Sequence, residues 1–268
     1  MGAPPVRLVA TDLDGTLVRP DGTVSARTRA ALDAVWERGT RVVLVTARPP
    51  RWVDELAAAL SCDEIVICAN GAIVYDARTR RVLRHDAIGA ELGTELVQRL
   101  RDELPELTFA IERESSFGHE PDYRCTWERP EDTLVAPAEE LVAAGCTKLL
   151  CQSAPPIDHE VLVKRCQAAA GDLGAVTISS LDGLVEIAAP GVSKGAALAR
   201  RCRELDIEAS EVVAFGDMLN DLSLLAFAGW GVAVDNAHAE LKVVADEVTA
   251  SCGEDGVASV LERIFSLC

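Results

Sequence analysis

Short apolar runs recur near both ends of the chain and dominate its pattern of hydrophobic and polar positions. The runs at 6–10, 41–45 and 211–215 show little alternation, which is typical of strands buried on both faces of a parallel sheet. Residues 26–37, between the first two runs, carry apolar residues on one face and follow Ser25, a candidate helix N-cap. Strands that alternate with helices in this way predict an α/β fold.

A second α/β pattern fills the middle of the chain and contains neither a DxD sequence nor a Gly-rich loop. It is large enough to hold a core of its own. The predicted helices are 90–104, 138–144 and 158–170, and the predicted strands are 107–113, 147–152, 176–179 and 184–188. We therefore predict a discontinuous core domain, residues 1–84 and 189–268, and an inserted domain, residues 85–188.

Two carboxylates follow the first apolar run directly, at Asp12 and Asp14. In open α/β sheets the ligand crevice lies beyond the carboxyl ends of the strands, which is where these residues are expected. Paired carboxylates are costly there unless a cation lies between them. Gly15 permits a sharp turn and Thr16 adds a hydroxyl group. The stretch predicts a metal-assisted phosphoryl-transfer site with Asp12 as the nucleophile.

Two other interpretations of this stretch are an acidic surface turn and a calcium loop. Asp-Gly pairs are common in turns, so the first interpretation stays open from these residues alone. An EF-hand loop requires Gly at its sixth position and Glu at its twelfth. Counted from Asp12, those positions hold Leu17 and Thr23, which excludes the calcium loop.

Polar residues also follow the other predicted strands or begin the helices next to them. Thr46 follows the second run, where its hydroxyl could bind a phosphoryl oxygen or merely cap the next helix. Lys194 follows the candidate N-cap Ser193, and an ammonium group at a helix N-terminus suits an anion. Asp217 and Asp221 lie four residues apart on a turn that opens a helix, so both could face one cation.

Four of these stretches resemble, in order, the signatures of the haloacid dehalogenase-like (HAD) phosphatases. They are Asp-Leu-Asp-Gly-Thr at 12–16, Thr-Ala-Arg at 46–48, Lys194 at a helix start, and Gly-Asp-Met-Leu-Asn-Asp at 216–221. The large insertion and the Asn-Gly-Ala sequence at 70–72 are similar to the Cof-type branch of that superfamily. The resemblance implies a Rossmann-like parallel-sheet core with a second, smaller α/β cap domain.

The resemblance also implies a role for each matched residue. Asp12 would form an aspartyl-phosphate and Asp14 would act as general acid and base, while Thr46 and Lys194 stabilise the phosphoryl charge. The implied Mg²⁺ ligands are Asp12, the main-chain carbonyl of Asp14 and Asp217, with Asp221 binding the ion directly or through water.

The phosphate or substrate contacts that we expect are Thr16, Ala47, Asn70 and Asn220. The chain departs from the family pattern at Ala47 and Asp235, where the family usually has glycine.

Composition limits the partners. The formal net charge of −17 argues against nucleic acid and against anionic membranes, since both require a basic face. The chain begins without an apolar signal core, and no apolar run is long enough to span a bilayer. Nine cysteines form no CxxC pair, which favours reduced thiols in a cytoplasmic protein. A small phosphorylated metabolite is therefore the expected partner, and the oligomeric state stays open.

Three functions are compatible with these residues: a phosphomonoester hydrolase, a phosphosugar mutase, and a non-catalytic phosphate-binding protein. The intact set of signature residues favours the first. Specificity is expected in the inserted domain, where residues 117–124 mix aromatic, charged and turn residues as a predicted loop. We name His119, Glu120 and Arg124 as candidate substrate contacts, with a solvated connection as the alternative.

Overall fold

The computed structural model of the protein describes residues 6–125, 127 and 129–267. The strands, in chain order, are β1 (Leu8–Thr11), β2 (Arg41–Leu44), β3 (Ile65–Cys68), β4 (Ile73–Asp76), β5 (Arg81–His85), β6 (Leu107–Glu112), β7 (Phe117–His119), β8 (Leu134–Val135), β9 (Lys148–Ser153), β10 (Ala175–Thr177), β11 (Val185–Ala188), β12 (Val212–Gly216), β13 (Trp230–Ala233) and β14 (Glu247–Val248).

Helices and single 3₁₀ turns connect these strands. The helices are α1 (Ala26–Glu37), α2 (Asp54–Ala59), α3 (Ala90–Glu103), α4 (Ala138–Val142), α5 (His159–Ala170), α6 (Lys194–Glu204), α7 (Leu222–Phe227), α8 (Ala239–Val244) and α9 (Gly256–Ile264). The 3₁₀ turns are Pro50–Trp52, Ala69–Gly71, Gly171–Leu173, Ala209–Glu211, Leu219–Asp221 and Cys252–Glu254.

The chain divides into two compact units. The first comprises the described residues of 1–48, 52–83 and 193–268, and the second comprises 49–51 and the described residues of 84–192. The division predicted from the sequence was 1–84 and 189–268 for the core and 85–188 for the insertion. The short segment 49–51 therefore belongs by its contacts to the second unit, although it follows β2 closely in the chain.

A parallel sheet with the strand order β14-β13-β12-β1-β2 forms the centre of the first unit. Strand β1, which lies between β12 and β2, is fully buried, with Leu8, Val9 and Ala10 all at 0% exposure, as an unbroken apolar run predicts. β1 pairs with β2 on one side and β12 on the other. Because parallel strands end at the same edge of a sheet, the residues that follow these three strands come together there.

The second unit has a sheet with the order β10-β11-β9-β6-β7-β8. Alternate residues of β6 contribute to two different apolar clusters, as the two-residue period of a strand requires. Phe109 and Ile111 join Leu96 of α3 and Leu162 of α5 in the larger cluster. Ala110 joins a smaller cluster with Phe117, Tyr123 and Leu150. The predicted α/β character of the insertion is thus present in this unit.

The prediction of a loop over residues 117–124 is wrong at its start. Phe117–His119 is strand β7, which pairs antiparallel with β6 so that His119 lies opposite Ala110. The Gly-His-Glu-Pro sequence is typical of a turn, but Gly118 serves packing instead. A Cβ atom at Gly118 would lie 2.8 Å from a methyl group of Leu141, so glycine lets helix α4 approach the strand.

Close approach also fixes helix α6, whose first residue is Lys194. A Cβ atom at Gly195 would lie 2.0 Å from the main-chain oxygen of Ser223 on α7. The hydroxyl group of Ser223 accepts a hydrogen bond from the Gly195 N–H at 3.1 Å, which satisfies a free donor at the helix start. Gly195 therefore determines where the first turn of α6 lies relative to α7.

We predict that Gly195→Ala lowers the free energy of unfolding by about 1–3 kcal/mol, since the added methyl group overlaps a main-chain oxygen. Chemical denaturation measures the change. The matched control is Gly253→Ala in the 3₁₀ turn Cys252–Glu254, where the atom nearest to the added Cβ is Ser251 Oγ at 3.8 Å. The control should stay within about 0.5 kcal/mol of the wild type. Equal stability of the two variants would contradict the close approach of α6 and α7.

Candidate active site

Lys194 lies at the centre of the residues that meet at the carboxyl edge of the parallel sheet. Its side chain is 1% exposed, and Nζ donates hydrogen bonds to Asp12 Oδ1 and Asp221 Oδ1, both at 2.6 Å. Burial by itself lowers the pKa of Lys194, but the charges of Asp12 and Asp221 outweigh it and raise the pKa above its ordinary value. The ammonium group therefore stays charged between two carboxylates.

Local structure places Lys194 there. Ser193 is the N-cap of α6, and its Oγ accepts a hydrogen bond from Ala196 N at 3.1 Å. An N-cap serine stabilises the first turn of a helix, so it fixes the backbone of the residue that follows it. The predicted cap is therefore present, and Lys194 projects from the first helical position.

The carboxylate of Asp221 is engaged at both oxygens. Oδ1 accepts from Lys194, while Oδ2 accepts from the main-chain N–H groups of Asp217 at 3.0 Å and Met218 at 3.1 Å. These bonds hold the turn that follows β12 in place. Asp217 in turn accepts a hydrogen bond from the Thr16 hydroxyl at 3.3 Å, which joins this turn to the one after β1.

The carboxylates of Asp12, Asp217 and Asp221 form a buried cluster that fits a divalent cation. One oxygen from each lies within 4.8 Å of the others. Burial raises the pKa of Asp12 well above its ordinary value, although Lys194 opposes this, and burial with the charge of Asp221 raises the pKa of Asp217 to about 7. One ammonium group thus balances only part of the cluster, and hard oxygen ligands of this kind suit Mg²⁺.

Asp14 is partnered by a residue that the sequence analysis did not select. The side chain of Asp14 is 59% exposed, and Arg48 binds it with two hydrogen bonds, Nη2 to Oδ1 at 2.5 Å and Nε to Oδ2 at 2.8 Å. The hydrogen bond to Asp14 raises the pKa of Arg48. Arg48 lies two residues after Thr46 in the loop that follows β2, the strand that pairs with β1. This position near the carboxyl end of β1 was the sequence feature that could have indicated a site residue.

The loop after β2 contains Thr46 and Ala47. Thr46 is fully buried, its N–H donates to the Ile67 oxygen at 2.8 Å, and its Oγ1 accepts from Arg48 N at 3.1 Å. The hydroxyl hydrogen is thus directed away from Arg48 N and can be donated to another group. Ala47 is half-buried between Thr46 and Arg48.

Asn70 and Asn220, two further predicted site residues, contact each other. Asn220 Nδ2 donates to Asn70 Oδ1 at 3.0 Å, and both residues are buried. Asp235, where the family usually has glycine, is exposed and pairs with Lys242 at 3.1 Å. The extra carboxylate at this position is therefore partly neutralised by a neighbouring lysine.

The candidates in the second unit have other contacts. Glu120 is buried, pairs with Arg101, and accepts from the N–H groups of Phe109 at 2.9 Å and Ala138 at 3.1 Å. His119 Nδ1 lies 2.7 Å from the main-chain oxygen of Glu120, so Nδ1 is the nitrogen that carries the hydrogen and donates it. His119 Nε2 then accepts a hydrogen bond from Arg129. These bonds hold the second unit together, whereas Arg124 is exposed. A substrate role for the three residues stays a prediction, and these bonds give His119 and Glu120 no part in the carboxylate cluster.

Comparison with known proteins identifies the family. The model of the haloacid dehalogenase-like hydrolases matches residues 9–261. The chain belongs to this family. The match covers nearly the whole chain and includes every residue of the carboxylate and lysine cluster, so the resemblance noted in the sequence is confirmed.

Two named relatives match over nearly their whole length. Pyridoxal phosphate phosphatase YbhA of Escherichia coli is 30% identical over 275 residues, which cover 97% of this chain and 98% of the relative. HMP-PP phosphatase of Serratia proteamaculans is 31% identical over 278 residues, covering 96% and 94%. The protein is thus a phosphoric monoester hydrolase of the Cof-type branch, as predicted.

A solved structure supports the same fold. The HAD phosphatase BT1666 from Bacteroides thetaiotaomicron has a TM-score of 0.81 and 26% identity, with 98% of this chain and 96% of that chain covered. The predicted Rossmann-like α/β core with a second α/β domain is therefore confirmed. Within the described residues, none of the helices is both long and apolar enough to cross a bilayer.

We predict that Mg²⁺ affinity rises with pH through about 7, because protons compete with the cation for Asp217, whose pKa lies at about 7. Isothermal titration at about pH 6 should give an affinity roughly tenfold lower than at about pH 8. Asp217→Asn should remove most of the affinity at both values. The control is Asp235→Asn, an exposed carboxylate paired with Lys242, which should bind like the wild type. An affinity that does not change with pH would contradict the assignment.

Proposed function

We propose that the protein is a Mg²⁺-dependent phosphatase that hydrolyses small phosphomonoesters through an aspartyl-phosphate on Asp12. The observation that carries the proposal is the buried bond between Lys194 and Asp12 at the carboxyl end of β1. Lys194 holds Oδ1 of Asp12, which leaves Oδ2 as the nucleophilic oxygen. A nucleophile that is held in one orientation loses less conformational entropy when it attacks the phosphorus atom, which lowers the activation free energy.

In the first step Asp12 Oδ2 forms a bond to phosphorus while the bond from phosphorus to the ester oxygen breaks. Asp14 in its protonated form gives a proton to the departing alkoxide. In the second step Asp14 takes a proton from the water that attacks phosphorus, while the bond from phosphorus to Asp12 Oδ2 breaks. Two hydrogen bonds from Arg48 hold the Asp14 carboxylate in one orientation, and one Asp14 oxygen leaves Arg48 to carry the proton. The products are the free alcohol and inorganic phosphate.

Charge on the phosphoryl oxygens is stabilised by groups already in position. Lys194 supplies a fixed positive charge in a buried site, and the Thr46 hydroxyl supplies a hydrogen-bond donor. The residues that would hold Mg²⁺ are Asp12, Asp217 and the main-chain carbonyl of Asp14, and the ion when bound neutralises phosphate charge. Asp221, with both oxygens already engaged, positions Lys194 and the Asp217 loop.

The relatives and the acidic chain support a proposal for the substrate class. Two relatives are named for small phosphorylated compounds, pyridoxal phosphate and HMP-PP. We propose that this protein likewise acts on a small phosphorylated metabolite and that its second unit selects the alcohol. Of the three predicted contacts in that unit, Arg124 is the one that is exposed, and we propose it as a substrate contact.

Asp12→Asn should fold, bind metal weakly and show no turnover, because an amide is a poor nucleophile towards phosphorus. Release of inorganic phosphate from a panel of esters, including pyridoxal phosphate and hexose phosphates, measures the effect. The control is Asp33→Asn, an exposed aspartate on α1, which should keep full activity. Near wild-type turnover by Asp12→Asn would refute the nucleophile. Isomerised sugar phosphate in place of released phosphate would instead identify a mutase.

Removal of the Arg48 guanidinium should lower kcat far more than it raises KM, since Arg48 contacts the proton-transfer group. We expect Arg48→Gln to reduce kcat about 10–100-fold, the range typical of a lost contribution to general acid–base catalysis. Arg38→Gln, on the exposed end of α1, is the matched control. A variant that changes KM alone would show that Arg48 binds substrate and does not orient Asp14.

A further inference from the structure

The turn Ala69–Gly71, which follows β3, has an unusual backbone. Three successive residues have positive φ angles: 51° at Ala69, 56° at Asn70 and 100° at Gly71. A left-handed conformation costs roughly 1–2 kcal/mol at a residue such as alanine, so surrounding contacts must hold the turn in place. Strain of this kind is retained where it positions a particular group.

Those contacts lead to the loop that carries Thr46 and Arg48. The N–H of Ala69 donates to the Arg48 oxygen at 2.9 Å, and the N–H of Asn70 donates to the Thr46 oxygen at 3.0 Å. Two main-chain N–H groups of the turn therefore donate hydrogen bonds to residues that follow β2.

The third residue of the turn lies against the start of α6. A Cβ atom at Gly71 would lie 2.3 Å from the Ser193 oxygen, so only glycine allows this approach. Ser193 is the residue immediately before Lys194. The turn thus contacts both the Thr46 loop and the backbone that presents the lysine.

The side chain of Asn70 contacts the turn after β12 through a hydrogen bond with Asn220. Asn70 is 1% exposed, and its Oδ1 accepts a hydrogen bond from Asn220 Nδ2 at 3.0 Å. Asn220 is 8% exposed and lies between Asp217 and Asp221 in the chain. Its Oδ1 is buried, and no group in the described part of the chain donates a hydrogen bond to it.

A buried acceptor without a donor costs about 1–3 kcal/mol, which a bound ligand can recover by donating a hydrogen bond. Because Asn70 takes the donor side of the Asn220 amide, the carbonyl side is the one left for the ligand. An ionised phosphate oxygen only accepts hydrogen bonds, so the group that suits Asn220 Oδ1 is a hydroxyl or a water molecule.

We propose that Asn70 is a positioning residue that acts through Asn220, fixing its amide so that Oδ1 accepts a hydrogen bond from a hydroxyl group or water at the catalytic site. The inference rests on the proposed phosphatase function. It assigns Asn70 a role different from direct phosphate contact, because its own Oδ1 is already bound by Asn220.

A double-mutant cycle on hydrolysis of a phosphate ester tests this role. Asn70→Gly removes the side chain but keeps a residue that adopts positive φ, and Asn220→Ala removes the amide. Each change should lower kcat/KM about tenfold, and the double variant should be no worse than the poorer single one. Losses that multiply to about a hundredfold would overturn the proposal, since the residues would then act independently.

Two further measurements separate positioning from general damage. Arg80→Gly, at a left-handed position that is exposed and outside the proposed site, controls for the glycine substitution itself and should leave kcat/KM unchanged. NMR of the Asn220 side-chain NH₂ group, in the Mg²⁺-loaded protein, should show slow proton exchange that Asn70→Gly abolishes. Fast exchange already in the wild type would overturn the proposal without reference to activity. A wild type that hydrolyses no ester would refute the proposed function, and the NMR result would still decide how Asn220 is held.

Discussion

The salt bridges of Lys194 are the interaction on which the rest of the site depends. A buried ammonium group requires carboxylates, and Asp12 and Asp221 require the ammonium, so none of the three charges would be tolerated alone at this depth. The contact joins α6 to the strand end of β1 and to the turn after β12. Residues separated by 182 positions in the chain are thereby held at 2.6 Å.

The three charged groups must lie close together, and main-chain contacts around them hold the loops in the positions that this requires. Gly195 lets α6 approach α7, Gly71 lets a strained turn approach Ser193, and the Asp221 carboxylate binds two N–H groups of its own loop. Each contact fixes where a loop ends relative to the sheet. Loops held in this way lose little freedom when a substrate binds, which is the usual requirement for electrostatic catalysis.

The residues that bear charge were predictable, and their partners were not. The prediction of α1 as 26–37 is confirmed, because Ser25 caps it and Gly39, with φ of 80°, ends it. Arg48 was not predicted as a site residue, because its position four residues beyond β2 does not show which carboxylate it binds. The loop predicted at 117–124 was wrong at Phe117–His119, because Gly118 resembles a turn residue although this segment pairs antiparallel with β6, which ends only five residues earlier at Glu112.

The α/β class, the order of the chemical groups and the strand ends at which Asp12, Thr46 and Asp217 occur could all be predicted from the amino-acid sequence. Local patterns suffice for this, because burial on both faces and helix capping depend on neighbouring residues. Which atoms meet depends on the tertiary fold: both oxygens of Asp221 accept hydrogen bonds, Arg48 binds Asp14, and the Asn220 amide donates to Asn70. Such choices depend on distances between loops that no local pattern encodes.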